Sequence, residues 1–205
     1  MSDEAFSIMR GMDMKKLENQ VAVQCAPLLA GVKPSNLLNV QAEARESVFR
    51  LFSGTPVSCR VLYEHDGRIS VLLYRKEQLE KDTGRPQVRK LLKEYGITGR
   101  NLEEILDQTS GRYQRHMEGK GEFPHEIGLL LGYPEEDVKK FIRFQGKHFL
   151  CSGYWKVYGN LQEALKTFAS YDRARETVIR LAGSGRDIRE ILVSSRSGGY
   201  RGMNI

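Results

Sequence analysis

Two apolar segments joined by an Asp-Gly pair at 66–67 constrain the fold of this 205-residue chain more than any other feature. Residues 57–63 place apolar side chains at every second position, and residues 69–74 return with a second apolar run. An Asp-Gly pair in such a place favours a type I′ turn, which suits the twist of a β-hairpin. Residues 71–73 are apolar on both faces of a strand. We therefore expect an antiparallel hairpin over 57–75, with its second strand inside a sheet.

Helical spacing of apolar residues dominates most of the remaining chain. It predicts helices over 13–30, with a break near Pro27, and over 41–52, 86–95, 102–106, 124–131, 135–142, 161–168 and 188–192. A short strand is expected at 37–40, a strand or extended segment at 149–158, and a mobile connection or solvated helix end at 109–122. This order of elements predicts an α+β fold, with a small, mainly antiparallel sheet covered by several helices. We expect residues 1–193 to form a single globular α+β domain and residues 194–205 to form a disordered tail.

The composition is typical of a soluble globular protein, with 40% hydrophobic and 28% charged residues. The sequence holds no apolar run long enough to span a bilayer, and the N-terminus lacks the pattern of a secretory signal. Three widely spaced cysteines, an odd number, favour reduced thiols in the cytoplasm over a disulfide scaffold. The formal net charge of +6 permits an anionic partner, and the C-terminal arginines make nonspecific nucleic-acid binding a weak hypothesis.

Cys25 is a candidate catalytic nucleophile. If Pro27 occupies the first turn of a short helix, the thiol lies near a helix N-terminus. Free backbone amides and the helix dipole lower the pKa of a thiol in that position, which makes thiolate available. The alternative is a small buried side chain that fills a gap in the core.

His125 is a candidate general base, because the pKa of an imidazole lies near neutrality. It follows Pro124 at a predicted helix start. A zinc-protease motif would need a second histidine one turn later, but Leu129 occupies that position. The imidazole could equally cap the helix or bond a neighbouring carbonyl, and this structural role is the simpler one. Glu126 is interpreted as a first-turn acid, with orientation of His125 as a second option.

The segment 149–159 holds the only tryptophan of the chain among several other aromatic residues. Its tyrosines could line a pocket for a planar ligand, with a lysine to supply charge. The candidate ligand-binding residues here are Cys151, Tyr154, Lys156 and Tyr158. Alternatively, the segment is a half-buried core strand, with Tyr154, Lys156 and Tyr158 on one face and Trp155 on the other.

Several familiar motifs are absent from the sequence. No CxxC pair, phosphate-binding lysine loop, dinucleotide fingerprint or G-x-S-x-G elbow occurs, so no metal site is assigned and the cofactor is unknown. The turn at 132–134 resembles a helix-turn-helix, but the second helix begins with three acids at 135–137. These acids would repel phosphate, which excludes sequence-specific DNA reading at this turn.

Three strings of residues carry a family resemblance: Cys-Ala-Pro-Leu-Leu-Ala-Gly-Val-Lys-Pro-Ser at 25–35, Phe-Pro-His-Glu-Ile-Gly-Leu-Leu-Leu-Gly-Tyr-Pro at 123–134, and Gly-Tyr-Trp-Lys-Val-Tyr-Gly at 153–159. On these strings the chain resembles the bacterial domain-of-unknown-function family numbered 3793. The resemblance implies a whole-protein family without an assigned activity. It also implies that Cys25, Lys33, His125 and Cys151 lie in characteristic segments, which adds Lys33 to the candidate ligand-binding residues.

Two functional hypotheses lead. The first is a noncatalytic module that binds an unknown small molecule or protein partner, in which residues 149–159 form the binding surface. The second is an enzyme that acts on amides, esters or thioesters, with Cys25 as nucleophile and His125 as base. Both require these distant parts of the chain to meet at one hollow. Nonspecific nucleic-acid association remains the weaker third hypothesis.

Overall fold

The structure, a computed structural model, describes residues 1–196, and it describes side chains through residue 194. The helices are α1 (Asp3–Gly11), α2 (Leu17–Leu29), α3 (Arg45–Phe52), α4 (Lys76–Gly84), α5 (Pro86–Glu94), α6 (Leu102–Met117), α7 (Ile127–Leu130), α8 (Glu135–Arg143), α9 (Leu161–Gly183) and α10 (Ile188–Arg196). The strands are β1 (Ser35–Gln41), β2 (Ser58–His65), β3 (Arg68–Tyr74), β4 (Cys151–Ser152) and β5 (Lys156–Val157). This is the expected α+β fold. No helix within residues 1–196 combines the length and apolar character that crossing a bilayer requires.

The main sheet has three antiparallel strands in the order β1-β3-β2, so the predicted hairpin is confirmed and its second strand is central. Asp66 and Gly67 have φ angles of 48° and 69°, the two positive values of a type I′ turn. The strict alternation expected in the first strand does not hold. The pairing register shifts between Val61 and Tyr63, and Leu62 becomes the buried residue at 3% exposure. A bulge of this kind inserts one residue and turns the next side chain to the other face.

The central strand is apolar on both faces because helices cover both sides of the sheet. Val71 and Leu73 pack into a core with residues of α2, α3, α9 and α10. Leu72 and Tyr74 point the other way, into a second core with residues of α4, α5, α6, α7 and α8. The sheet therefore divides the hydrophobic interior into two parts.

The segment expected to be one strand at 149–158 is instead a tight hairpin. Its strands β4 and β5 pair Cys151 with Val157 and Ser152 with Lys156. The chain reverses at Gly153, whose backbone N–H donates to the carbonyl of Trp155. A Cβ atom on Gly153 would lie 2.4 Å from Cε2 of Phe168, so only glycine fits where the hairpin meets α9. Burial alternates as expected from Tyr154 to Val157, with Trp155 and Val157 buried, but Tyr158 is buried as well and departs from the predicted face.

Helix α2 is continuous where the sequence suggested a break. Pro27 lies inside it, near the C-terminal end. A proline removes one hydrogen bond to the preceding turn, and the helix ends two residues later, so little of it is disturbed. Cys25 is consequently in the second half of a helix and not at the N-terminus of a new one. The thiol of Cys25 was expected to have a low pKa because it would lie near a helix N-terminus, and this expectation was wrong.

Helices α1 and α4 were not predicted. The region at 109–122, expected to be a connection or a helix end, continues α6 as far as Met117. Helix α10 extends to Arg196, and the rest of the expected C-terminal tail, residues 197–205, lies outside the described residues.

Candidate functional site

The most distinctive cavity is an apolar concavity of about 260 Å³, partly open to solvent. All of its lining comes from one stretch of the chain, from the loop before α7, through α8, to the β4–β5 hairpin. Five of the lining side chains carry rings, and the rest are small, aliphatic or polar: Phe123, His125, Tyr133, Phe141 and Trp155, with Asp137, Val138, Ser152, Gly153 and Lys156. We call this feature the aromatic concavity.

Local backbone geometry places the first part of the lining. A tight turn at 123–125, closed by a hydrogen bond from the His125 N–H to the Phe123 carbonyl, leads into the short helix α7. Gly132 then reverses the chain with a φ angle of 78°. A Cβ atom there would lie 2.6 Å from Cγ of Pro34, so glycine is required for conformation and for space. Tyr133 follows and enters the concavity.

The rings of the lining contact one another. Phe123 and His125 have centroids 5.1 Å apart, and His125 is also 5.1 Å from Phe141. Tyr133 stacks on Trp155 at 5.3 Å with an interplanar angle of 29°. Trp155 in turn meets the edge of Phe168 in α9 at 4.5 Å. Aromatic pairs at these distances attract one another and hold the ring planes in place.

Asp137 connects α8 to the hairpin that forms the other side of the concavity. Its Oδ2 accepts a hydrogen bond of 2.8 Å from Nε1 of Trp155. Its Oδ1 accepts from the backbone N–H groups of Tyr158 and Gly159, both at 2.8 Å. Sequence reasoning treated this residue only as a first-turn acid, since none of its partners lies nearby in the chain. A buried acid with three donors is instead an organiser of the site.

Lys156 is the cation of the aromatic concavity. Its Nζ donates to the carbonyl of Gly146 at 2.8 Å and lies 4.8 Å from the ring centroid of Phe149 and 5.8 Å from that of Phe141. Within residues 1–196, no carboxylate forms an ion pair with this ammonium. An ammonium has three donors, so two remain for other acceptors.

His125 lines the concavity as a neutral group. Burial lowers the pKa of its imidazole, and the carboxylate of Glu122 opposes that shift only in part. The adjacent Glu126 does not orient the imidazole. It is buried at 2% exposure and forms an ion pair with Arg112 of α6. His125 can therefore offer a hydrogen bond to a ligand at neutral pH but little charge.

Cys25 lies away from the lining of the aromatic concavity. It is fully buried, at 0% exposure, in the core that joins α2 to the sheet and α9. Burial raises the pKa of its thiol to about 12, although nearby Lys33 and Asn36 lower it somewhat. The Nδ2 of Asn36 is 3.6 Å from the sulfur. None of the described contacts joins Cys25 to His125.

Lys33 lies between the buried Cys25 and the aromatic concavity. Its Nζ donates to Oδ1 of Asn36 at 3.1 Å and is 5.6 Å from the ring centroid of Tyr133, one of the concavity's walls. The side chain is buried, and this burial lowers the pKa of the amine to about 8.

The remaining candidates surround the concavity without lining it. Cys151 is half-buried and packs against the small core beneath the hairpin. Tyr154 donates its hydroxyl to Oδ1 of Asp172 at 2.9 Å, and burial raises the pKa of that hydroxyl. Tyr158 is buried and stacks on Phe144 at 6.0 Å. Among the predicted site residues, the concavity thus brings together His125 and Lys156.

The described residues contain no group of three or more His, Cys, Asp or Glu side chains arranged to hold a metal ion. The fold and the concavity define an α+β protein with a sheet enclosed by helices and an aromatic hollow beside a small second hairpin. The chain belongs to DUF3793, a family described as proteins of unknown function, whose model matches residues 21–192. The match includes the whole lining of the concavity and confirms the family resemblance. No curated protein and no solved structure matches the chain.

Proposed function

We propose that this protein is a small-ligand-binding module and that the aromatic concavity is its site. The observation that carries the proposal is a hollow of about 260 Å³ lined by five rings. An engineered cavity of about 150 Å³ holds benzene, so this volume suits a fused pair of rings or one ring with a short substituent. Concave, mainly apolar surfaces with a few polar groups are the usual form of small-molecule sites.

The position of Cys25 supports binding over nucleophilic catalysis. A cysteine nucleophile needs an accessible sulfur in its deprotonated form. Cys25 is enclosed in the core, and the pKa of its thiol is raised to about 12. The pairing of Cys25 with His125 therefore has no supporting contact, whereas His125 and Lys156 share the hollow.

Two further parts of the proposal concern partners and location. Arg180 pairs with Glu4, and the exposed Arg189 donates to the carbonyls of Arg50 and Leu51, so both guanidinium groups have partners within the chain and lend little support to nucleic-acid binding. The three cysteines are free, which supports a reducing compartment such as the cytoplasm. A regulatory role or a protein partner stays a prediction.

The single tryptophan gives a direct test, because Trp155 lines the concavity and no other residue contributes indole fluorescence. A panel of one-ring and two-ring compounds is titrated into the protein while the emission of Trp155 is followed. We expect saturable changes in intensity or wavelength for flat compounds that fit the volume, and none for bulky polycyclic ones.

Filling the hollow provides the matched control. Ser152 is exposed at the lining, and Ser152→Phe is expected to abolish the saturable change. Ser53 is also exposed but does not line the concavity, and Ser53→Phe should leave binding as in the wild type. If the emission of Trp155 changes equally in both variants, or if no flat compound gives a saturable change, the hollow is not a binding site.

A further inference from the structure

The charged groups of the aromatic concavity identify a class of ligand. We propose that it selects flat aromatic acids, with the ring system between the aromatic walls and the carboxylate bound to Nζ of Lys156. This proposal rests on the proposed function, since it names the chemistry of a ligand for the same hollow. It goes further by requiring a negative charge on that ligand.

The walls favour a flat ring over an aliphatic chain. The Tyr133–Trp155 pair is nearly parallel, and the Phe123–His125 and His125–Phe141 pairs are tilted at 53° and 59°. The lining therefore presents both ring faces and ring edges to an occupant. A flat aromatic ring can stack on the faces of these rings and contact their edges in T-shaped pairs. Each such contact strengthens binding beyond the effect of burying apolar surface.

The available cation is Lys156. Its ammonium uses one donor on the Gly146 carbonyl and lies against two phenylalanine rings, which remove part of its water. A carboxylate that reaches this group would gain a charge-assisted hydrogen bond in a partly apolar setting, where such bonds are strongest. A second cation, Lys33, has its Nζ 5.6 Å from the ring centroid of Tyr133 and adds to the positive potential.

The acid in the lining is already engaged. Both oxygens of Asp137 accept hydrogen bonds, three in total, from Trp155 and the backbone of Tyr158 and Gly159. It therefore offers little capacity for a ligand cation. Glu122, the acid that affects His125, is exposed, so solvent screens its charge. Lys156 is thus the charged group of the lining that keeps hydrogen-bonding capacity for a ligand.

Three probes of one shape test the proposal: 2-naphthoate, 2-naphthamide and 2-naphthylmethylamine, titrated by calorimetry against the 205-residue chain. We expect the acid to bind at least about tenfold more tightly than the amide, a difference of about 1.4 kcal/mol, and the amine to bind most weakly. This comparison uses the wild-type protein, so it does not depend on any variant folding.

The role of Lys156 is tested by Lys156→Gln and Lys156→Arg. The glutamine variant should lose the preference for the acid while keeping the affinity for the amide, and the arginine variant should retain most of the preference. Lys147→Gln removes an exposed cation from the loop between α8 and β4 and should behave like the wild type. Circular dichroism of each variant confirms its fold.

Other outcomes overturn the inference in distinguishable ways. Equal affinity for acid and amide, or a preference that survives in Lys156→Gln, would leave a binding site without the proposed selectivity. Tightest binding of the amine would reverse the sign of the charge that the site recognises. If none of the three probes binds, the ligand class is excluded, and the fluorescence panel with Ser152→Phe then decides whether the hollow binds anything else.

Discussion

The carboxylate of Asp137 accepts a hydrogen bond of 2.8 Å from the indole nitrogen of Trp155, and both residues are buried. The same carboxylate holds the backbone N–H groups of Tyr158 and Gly159. One acid in the first turn of α8 thereby sets the position of the indole wall of the concavity. Helix and hairpin are joined at this point by charge-assisted hydrogen bonds, which are stronger than those between neutral groups.

Asp137→Asn should destabilise the protein by about 2–4 kcal/mol, since an amide cannot accept from all three donors and brings its own N–H groups into a buried site. Urea unfolding followed by circular dichroism measures this loss. The emission of Trp155 should also change in the folded variant, because the indole loses its acceptor.

Glu136→Gln is the matched control in the same turn. Glu136 is exposed and pairs with Lys140, so its substitution should change the stability by no more than about 0.5 kcal/mol. Similar losses for both variants would contradict the role given to Asp137.

Gly132→Ala should cost about 2–4 kcal/mol, because the residue has a φ angle of 78° and the new methyl group would overlap Pro34. Gly54 has a φ angle of 73°, but no atom lies within 4 Å of the position that a methyl group would occupy there. Gly54→Ala therefore measures the conformational cost alone, about 1 kcal/mol. The loss in unfolding free energy caused by Gly132→Ala, minus the loss caused by Gly54→Ala, measures the packing of the 132–134 turn against the loop before β1. Equal costs would show that this close approach does not limit the fold.

Lys33→Met tests the buried ammonium through pH. Burial lowers the pKa of Lys33 to about 8 from the ordinary value of 10.5. Between these values the unfolded chain binds more protons than the folded one, so the contribution of Lys33 to stability rises with pH and its penalty is fully present below pH 8. The unfolding free energy of the wild type relative to Lys33→Met should therefore rise by roughly 1–3 kcal/mol from pH 7.5 to pH 10.

Lys93→Met removes an exposed lysine and controls for the general loss of charge. Burial raises the pKa of Cys25 and of Cys59 to about 12, so both folded thiols stay protonated up to pH 10 in either protein, and the titration of the unfolded thiols cancels in the subtraction. If the difference in unfolding free energy between the wild type and Lys33→Met stays constant over this pH range, Lys33 is not held in a desolvated position.

The thiols should differ sharply in reactivity toward Ellman's reagent at pH 8. Cys151 is expected to react fast, and Cys25 and Cys59 about a hundredfold or more slowly, because burial raises the pKa of each of the latter thiols to about 12. Cys151→Ser should remove the fast phase, and all three thiols should react at similar rates in guanidinium chloride. Rapid modification of Cys25 in the native protein would revive the nucleophile hypothesis.

Features governed by local chemistry could be predicted from the sequence. The hairpin depends on the turn at Asp66-Gly67, and Asn160 begins α9 because its side chain accepts a hydrogen bond from the Glu163 N–H, as asparagine commonly does at a helix N-terminus. Lys156 and His125 were also selected for their chemistry, and both line the concavity. The interpretation of residues 1–193 as one domain stays a prediction.

Features that depend on distant contacts could not be predicted. The reversal at Gly153 depends on Phe168 of the following helix, and the importance of Asp137 depends on donors in the hairpin. Pro27 suggested a helix start because the same residue favours the first turn, and the continuity of α2 depends on packing that the local pattern does not reveal. The burial of Cys25 follows from that continuity.

The lining of the aromatic concavity comes entirely from residues 123–156, a continuous stretch outside the three-stranded sheet. Substitutions at lining residues outside the two large cores, such as Phe141, Ser152 and Lys156, can reshape the hollow while the strands and those cores keep their contacts. Related chains can therefore diverge in what they recognise without altering their architecture, and evolutionary change in specificity is separable here from change in fold.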